Sequence, residues 1–233
     1  MFPLVAALVA FVFAGAFGRQ YLERRRPYQL VWAVALALYG AASVAVTIGA
    51  ITGWSSFLFE LYWAFGAVLT VPFLAAGEVL LLARGRAVVW VAWLVLLFLT
   101  AYTFAVLANA SFDAAALAER LPSGKEVFGD GTPAHRLPQI ISIPSYLILV
   151  VGALWSAWTM RGHPELRDRF MGTLLVALGA TITAVGGSTF AALGKLPQFS
   201  VTLLAGIAVM FWGFLRASRR VPAGPPAVAR PSR

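Results

Sequence analysis

The stretch FLFELYWAFGAVLTVPFLAAGEVLLLA, Phe57 to Ala83, decides the fold class. It exceeds the roughly 20 apolar residues that a helix needs to cross about 30 Å of hydrocarbon. A transmembrane strand would instead show about 10 residues of alternating polarity, and no such alternation is present. The stretch carries two acidic residues, Glu60 and Glu78, and a mid-span proline, Pro72. A charge at the centre of a bilayer costs about 3 kcal/mol or more, so an acidic residue in a span marks a functional position by default.

The pattern repeats along the chain. Of 233 residues, 61% are hydrophobic and 12% charged, a composition that excludes an ordinary soluble domain. Mean hydropathy is +0.83. Apolar runs fall at about 3–17, 30–51, 57–83, 88–107, 140–160, 170–193 and 199–215. They predict an all-α polytopic membrane protein, with seven transmembrane helices forming one domain over 1–216. Residues 217–233 hold Arg219, Arg220, Arg230, Arg233 and four prolines, and are expected to form a disordered basic cytoplasmic tail. The basic residues Arg19, Arg24, Arg25 and Arg26 follow the first run rather than precede it. That order is the reverse of a cleaved signal peptide, so the first helix is expected to be retained.

The formal charge is +9, which in a soluble chain would suggest nucleic acid; here the arginines report topology instead. Fourteen of the 18 basic residues fall in alternate loops and the tail, against Arg120, Lys125, Arg136 and Lys195 on the other side. The positive-inside rule then predicts an outside N-terminus and a cytoplasmic C-terminus in a plasma membrane whose inner leaflet is anionic. A connector of about 30 residues, 109–138, lies on the outer side. Asp113 is expected to cap a short helix with Leu117 and Leu121 on one face, ended by Pro122-Ser123-Gly124, and Gly129 to Pro133 to form a tight turn.

Small residues at i, i+4 spacing let helix backbones approach where lipid offers no hydrophobic drive. Span 2 has such a column in Ala41, Ala45 and Gly49, and span 6 has Gly179 and Gly187. These columns make spans 2 and 6 the expected packing centre, equivalent by position in a 3+1+3 parallel repeat. That plan resembles the span order of sugar-transporter and PQ-loop folds, without their motifs.

The candidate polar groups follow from depth. Eighteen residues, or five α-helical turns, separate Glu60 from Glu78, which puts them on one face about 27 Å apart. That separation excludes a two-carboxylate catalytic pair. Glu60 is expected at headgroup level and Glu78 deeper. Pro72 removes a donor and predicts a kink with freed carbonyls, which neighbouring Ser or Thr hydroxyls usually satisfy; Pro144 in span 5 follows the same logic. Tyr39, Ser43 and Thr47 form a polar stripe on span 2, and Thr181, Thr183 and Ser188 place hydroxyls on span 6. They either line a polar cavity or bond between helices.

Absences narrow the chemistry. There is no cysteine, hence no disulfide, thiol nucleophile or Cys-ligated metal. His135 and His163 fall in loops on opposite sides, which excludes a bis-histidine haem within the bundle. No Walker A, GxSxG or HExxH motif is present, so neither enzyme activity nor a cofactor or metal site is expected.

The run Arg24-Arg25-Arg26-Pro27-Tyr28-Gln29-Leu30-Val31-Trp32, the Gly53-Trp54 turn and Leu61-Tyr62-Trp63-Ala64-Phe65-Gly66-Ala67 resemble a group of uncharacterised bacterial seven-span integral membrane proteins. The resemblance implies the seven-span plan and carries no site residues with it. From the residues themselves the expected function is a small-solute transporter or permease, proton-linked through Glu78. The alternative is a non-enzymatic sensor or accessory module signalling through cytoplasmic loops and tail. The expected ligand is a small molecule or a lipid.

Overall fold

A computed structural model describes residues 2–83, 85–163 and 166–217, with the backbone alone at Arg169. Arg84 and tail residues 218–233, including Arg219, Arg220, Arg230 and Arg233, lie outside the described residues. Among the described residues, seven helices are long and apolar enough to cross a membrane: Phe2–Arg24, Pro27–Thr52, Ser56–Leu82, Arg86–Ala108, Pro133–Met160, Phe170–Ala192 and Leu196–Ala217. The chain is a multi-pass, all-helical membrane protein.

Several boundaries move from their expected places, each for a local reason. Span 1 runs on to Arg24 because nothing before the Arg25 bend, at φ 51°, breaks its backbone ladder. Span 2 starts at Pro27, whose missing N–H costs nothing in a first turn. Span 5 starts at Pro133, inside the expected connector, with Thr132 accepting from the His135 N–H as its cap. Ala217, expected in the tail, is the last residue of span 7.

Span 2 is the most buried of the seven helices at 56%, and span 6 among the least at 28%. The expectation that both form the packing centre therefore fails for span 6. Its small residues serve a pairwise contact with span 7 instead. A Cβ on Gly172 would lie 2.5 Å from the Gly213 carbonyl, and one on Gly179 would lie 2.5 Å from the Gly206 carbonyl. Two glycine pairs seven residues apart let antiparallel backbones touch, and Arg216 closes the pair by bonding Asp168 at 3.1 Å. Gly187 is buried, and a Cβ on it would lie 4.0 Å from the Phe199 ring. In span 2, Ala45 and Gly49 are buried, Gly49 beneath the Trp54 ring, while Ala41 is half-buried.

Span 1 joins spans 2 and 7 through aromatic rings. Phe13 lies 5.2 Å from Phe211 and 4.9 Å from Phe214, and Phe17 lies 4.6 Å from Phe214 and 5.2 Å from Trp32. Span 4 is peripheral, 17% buried, with Trp90, Leu94, Leu97 and Phe98 facing outward.

The connector is folded onto the bundle. Leu117, Leu121, Val127 and Leu137 are buried, and Phe128 packs among Phe59, Trp63 and Phe112. Asp113 does not cap a helix: its carboxylate accepts from the Ala115 N–H at 2.8 Å in a local turn, and the short turn that follows, Ala116–Ala118, begins at Ala115 without a side-chain cap. Ser123 does not end a helix; it begins one, Gly124–Phe128, through a reciprocal capping box with Glu126. Gly129 and Gly131 take φ of 85° and 74°, which makes the Gly129–Pro133 turn.

Candidate functional site

Span 3 is not one α-helix. It is α-helical over Ser56–Tyr62, π-helical over Trp63–Leu69 and α-helical again over Thr70–Leu82. The cause lies at Pro72, which has no N–H for the Val68 carbonyl and whose ring would crowd it. Widening the turn just ahead of the proline relieves that crowding and leaves carbonyls to be satisfied from elsewhere. Ser142 of span 5 supplies the donor: its hydroxyl lies 2.7 Å from the Ala67 carbonyl and 3.0 Å from that of Val68. The Phe65 carbonyl accepts both the Thr70 N–H and the Thr70 hydroxyl, the latter at 2.6 Å. Span 5 widens at the same level, over Pro138–Ser142.

The π segment has a second consequence. A wide turn holds about one extra residue, and one residue is about 100° of helix rotation. Glu60 and Glu78 therefore do not share a face. Glu60 is half-exposed near the connector end, whereas Glu78 is 4% exposed between spans 3 and 5.

Glycine makes the room for Glu78. A Cβ on Gly152 of span 5 would lie 2.7 Å from the Glu78 Cγ. One turn on, the Ser156 hydroxyl donates to Glu78 Oε1 at 3.4 Å, the carboxyl's hydrogen bond among the described residues. On the other side of span 3, Gly77 accommodates the Trp32 ring, whose Nε1 donates to the Leu74 carbonyl at 3.0 Å. The carboxyl is thus enclosed by packed helices, with one long hydroxyl contact. An approach of Glu78 to Arg84 lies outside the described residues.

The remaining sequence candidates separate. Tyr39 crosses from span 2 to span 7, donating to the Leu203 carbonyl at 2.7 Å, with the Thr183 side chain beside its hydroxyl. Thr183 also bonds the Gly179 carbonyl at 3.0 Å. Tyr146 donates to Thr181 at 2.9 Å and so ties span 5 to span 6. Ser43 is buried, and Thr47 bonds its carbonyl at 2.8 Å. These groups bond between and along helices and do not gather around Glu78. Ser188 is exposed on the bundle's outer face and bonds the Ala184 carbonyl, so it lines no cavity. Pro144 is exposed in the first turn of the α-helical part of span 5, Ile143–Met160, and next to it Ser145 bonds the Ile141 carbonyl at 2.7 Å.

Ser156, Gly152 and Trp32 are the site residues that the sequence reading missed. The available signal was the Gly152/Ser156 spacing of four on span 5, a small-residue face that had to meet something. Gln29 was missed also. It is fully buried, donates to Gln20 at 3.3 Å, and its Oε1 has no partner among the described residues. A groove of about 400 Å³ lies between the end of span 4 and the connector, walled by Tyr102, Val106, Asn109, Phe128 and Pro133, well away from Glu78.

The chain matches no protein-family model, no curated protein and no solved structure.

Proposed function

We propose that this protein is a membrane transporter of a small solute, with Glu78 as the group that takes up and releases a coupled proton. The observation that carries this reading is a carboxyl buried within a span, held by one hydroxyl at 3.4 Å, on a helix interrupted by the π-helical turn Trp63–Leu69 ahead of Pro72. A buried acid without a matched partner costs free energy, and a proton is the smallest cation that neutralises it. The enclosed site corresponds to an occluded state, and the Trp63–Pro72 interruption of span 3 is where that helix can bend to open it. We take the arginine-rich ends as cytoplasmic, by the positive-inside rule, in a plasma membrane.

The test is solute-evoked proton movement in proteoliposomes that enclose a pH-sensitive dye, screened over classes of small solute. A solute carried by the wild type is expected to move protons with it, Glu78→Asp to retain part of that signal, and Glu78→Gln to lose it. Solute flux with an unchanged pH dependence in Glu78→Gln would remove the proton role.

A further inference from the structure

The connector, and the first turn of span 5 into which it runs, are fastened to the turn before span 3 and to span 3 itself at two indoles. Trp54 Nε1 donates to the Arg120 carbonyl at 3.1 Å, and Trp63 Nε1 donates to the Ala134 carbonyl at 3.0 Å. The Trp63 ring is also pressed against Gly124, where any side chain would collide with it. Trp63 is the first residue of the π segment of span 3, so the latch grips the span at its irregular turn. Ala134 sits between Pro133 and His135 in the short helix that directly follows the Gly129–Thr132 turn.

That turn has two incompatible arrangements around one atom. His135 Nδ1 lies 3.3 Å from the Gly131 N–H, a bond that needs the nitrogen's lone pair. The same Nδ1 lies 3.6 Å from Asp130 Oδ1, and an ion pair there needs a proton on it. One nitrogen cannot serve both. The charged groups facing His135 are Asp130, Lys125, which holds Asp130 at 2.9 Å, and Arg136, whose guanidinium lies over Gly131. The Lys125 hydrogen bond and charge keep the Asp130 carboxyl below the usual aspartate range. An anionic acceptor is therefore in place throughout the range in which imidazoles titrate.

We propose that the connector is a proton-sensitive lid. Protonation of His135 exchanges the Gly131 N–H for the Asp130 carboxylate, turns the 129–135 segment, and through the Ala134 carbonyl loosens the Trp63 latch on span 3. A falling pH on the connector side opens the lid over the aromatic mouth of the bundle.

The chain has no cysteine, so one introduced thiol reports without background. Val127 belongs to the lid itself and is 1% exposed in the closed arrangement, and Val127→Cys in detergent-solubilised protein is labelled with a charged maleimide between about pH 5.5 and 8. Dividing each rate by that of the same variant carrying His135→Gln cancels the thiol's own pH dependence. The ratio is expected near one at the alkaline end and severalfold higher at the acid end, and Asp130→Asn is expected to flatten it. Trp63→Phe, which keeps a ring and loses the donor, is expected to raise labelling at every pH and abolish the step. A flat ratio in the parent overturns the lid, and so does a step that survives Trp63→Phe. Should Val127→Cys fail to fold, Leu121→Cys, also 1% exposed, reads the same opening. The readout is accessibility rather than flux, so failure here leaves the role of Glu78 untouched.

Discussion

Glu60 and Glu78 are the same residue type on the same span, yet they occupy opposite kinds of site. Glu60 stands half-exposed at the connector end, and no glycine among the described residues has Glu60 among the atoms nearest its Cβ position. Glu78 is enclosed, and span 5 has given up a side chain at Gly152 to make that possible. The two acids differ in packing as well as in depth. What distinguishes Glu78 is that a neighbouring helix is shaped around it.

The comparison breaks most sharply if the space at Gly152 is filled. Gly152→Val puts a side chain where the Glu78 Cγ already lies, and overpacking of this kind is expected to cost about 3 kcal/mol, read as a fall in Tm in detergent. Adding Glu78→Ala should recover much of that loss. If it does not, the space was not kept for the carboxyl. Next in size is Ser142→Ala, which leaves the Ala67 and Val68 carbonyls without their hydroxyl and should cost about 1–2 kcal/mol. Pro72→Ala in that background should restore stability, because an amide donor then returns to the helix.

Smaller effects sharpen the contrast. Ser156→Ala removes one interhelical hydrogen bond, worth about 0.6 kcal/mol on average in membranes, and should shift the pH dependence of any Glu78-linked flux. Glu60→Gln should change Tm by less than about 0.5 kcal/mol equivalent and leave such flux alone; a flux defect would make both acids stations on one path. Smallest of all is Lys125→Met. Lys125 holds the Asp130 carboxyl below its ordinary range, so their contribution is complete above that range and is lost as pH falls through the lowered value. The variant should flatten that acid-side decline in Tm, measured from about pH 6 to 2.

Hydropathy was enough to read seven spans, because crossing a bilayer imposes a length that no packing detail overrides. The ranking of Glu78 over Glu60 was legible from depth. The fate of the Pro72 carbonyls was half legible: a hydroxyl was expected, and Ser142 beside Pro144 is the one that arrives. Faces were not legible. The five-turn count between the acids assumed 3.6 residues throughout, and the π segment at Trp63–Leu69 invalidated it. Such a segment depends on a donor from another helix, which no local pattern records. The Ala/Gly columns failed similarly as a guide to the centre, since small residues license a close approach without naming the partner. The docking of the connector and the start of span 5 onto the bundle was not legible, because the Trp54–Arg120 and Trp63–Ala134 bonds join residues 66 and 71 apart in sequence.

The phenylalanines that join spans 1 and 7 bear on how the molecule is made. Phe13 and Phe17 enter the membrane early in synthesis, but the rings they pack against, Phe211 and Phe214, belong to the seventh span. Until that helix is inserted, the first one lacks part of its interior and meets lipid in its place. Closure of the bundle is therefore a late, long-range event, slow by the same loop-closure entropy that slows distant contacts in soluble folds. Quality control in the membrane would encounter the half-made protein as an open arc with its first helix unanchored on one side, and a chain stopped after span 6 should remain in that condition.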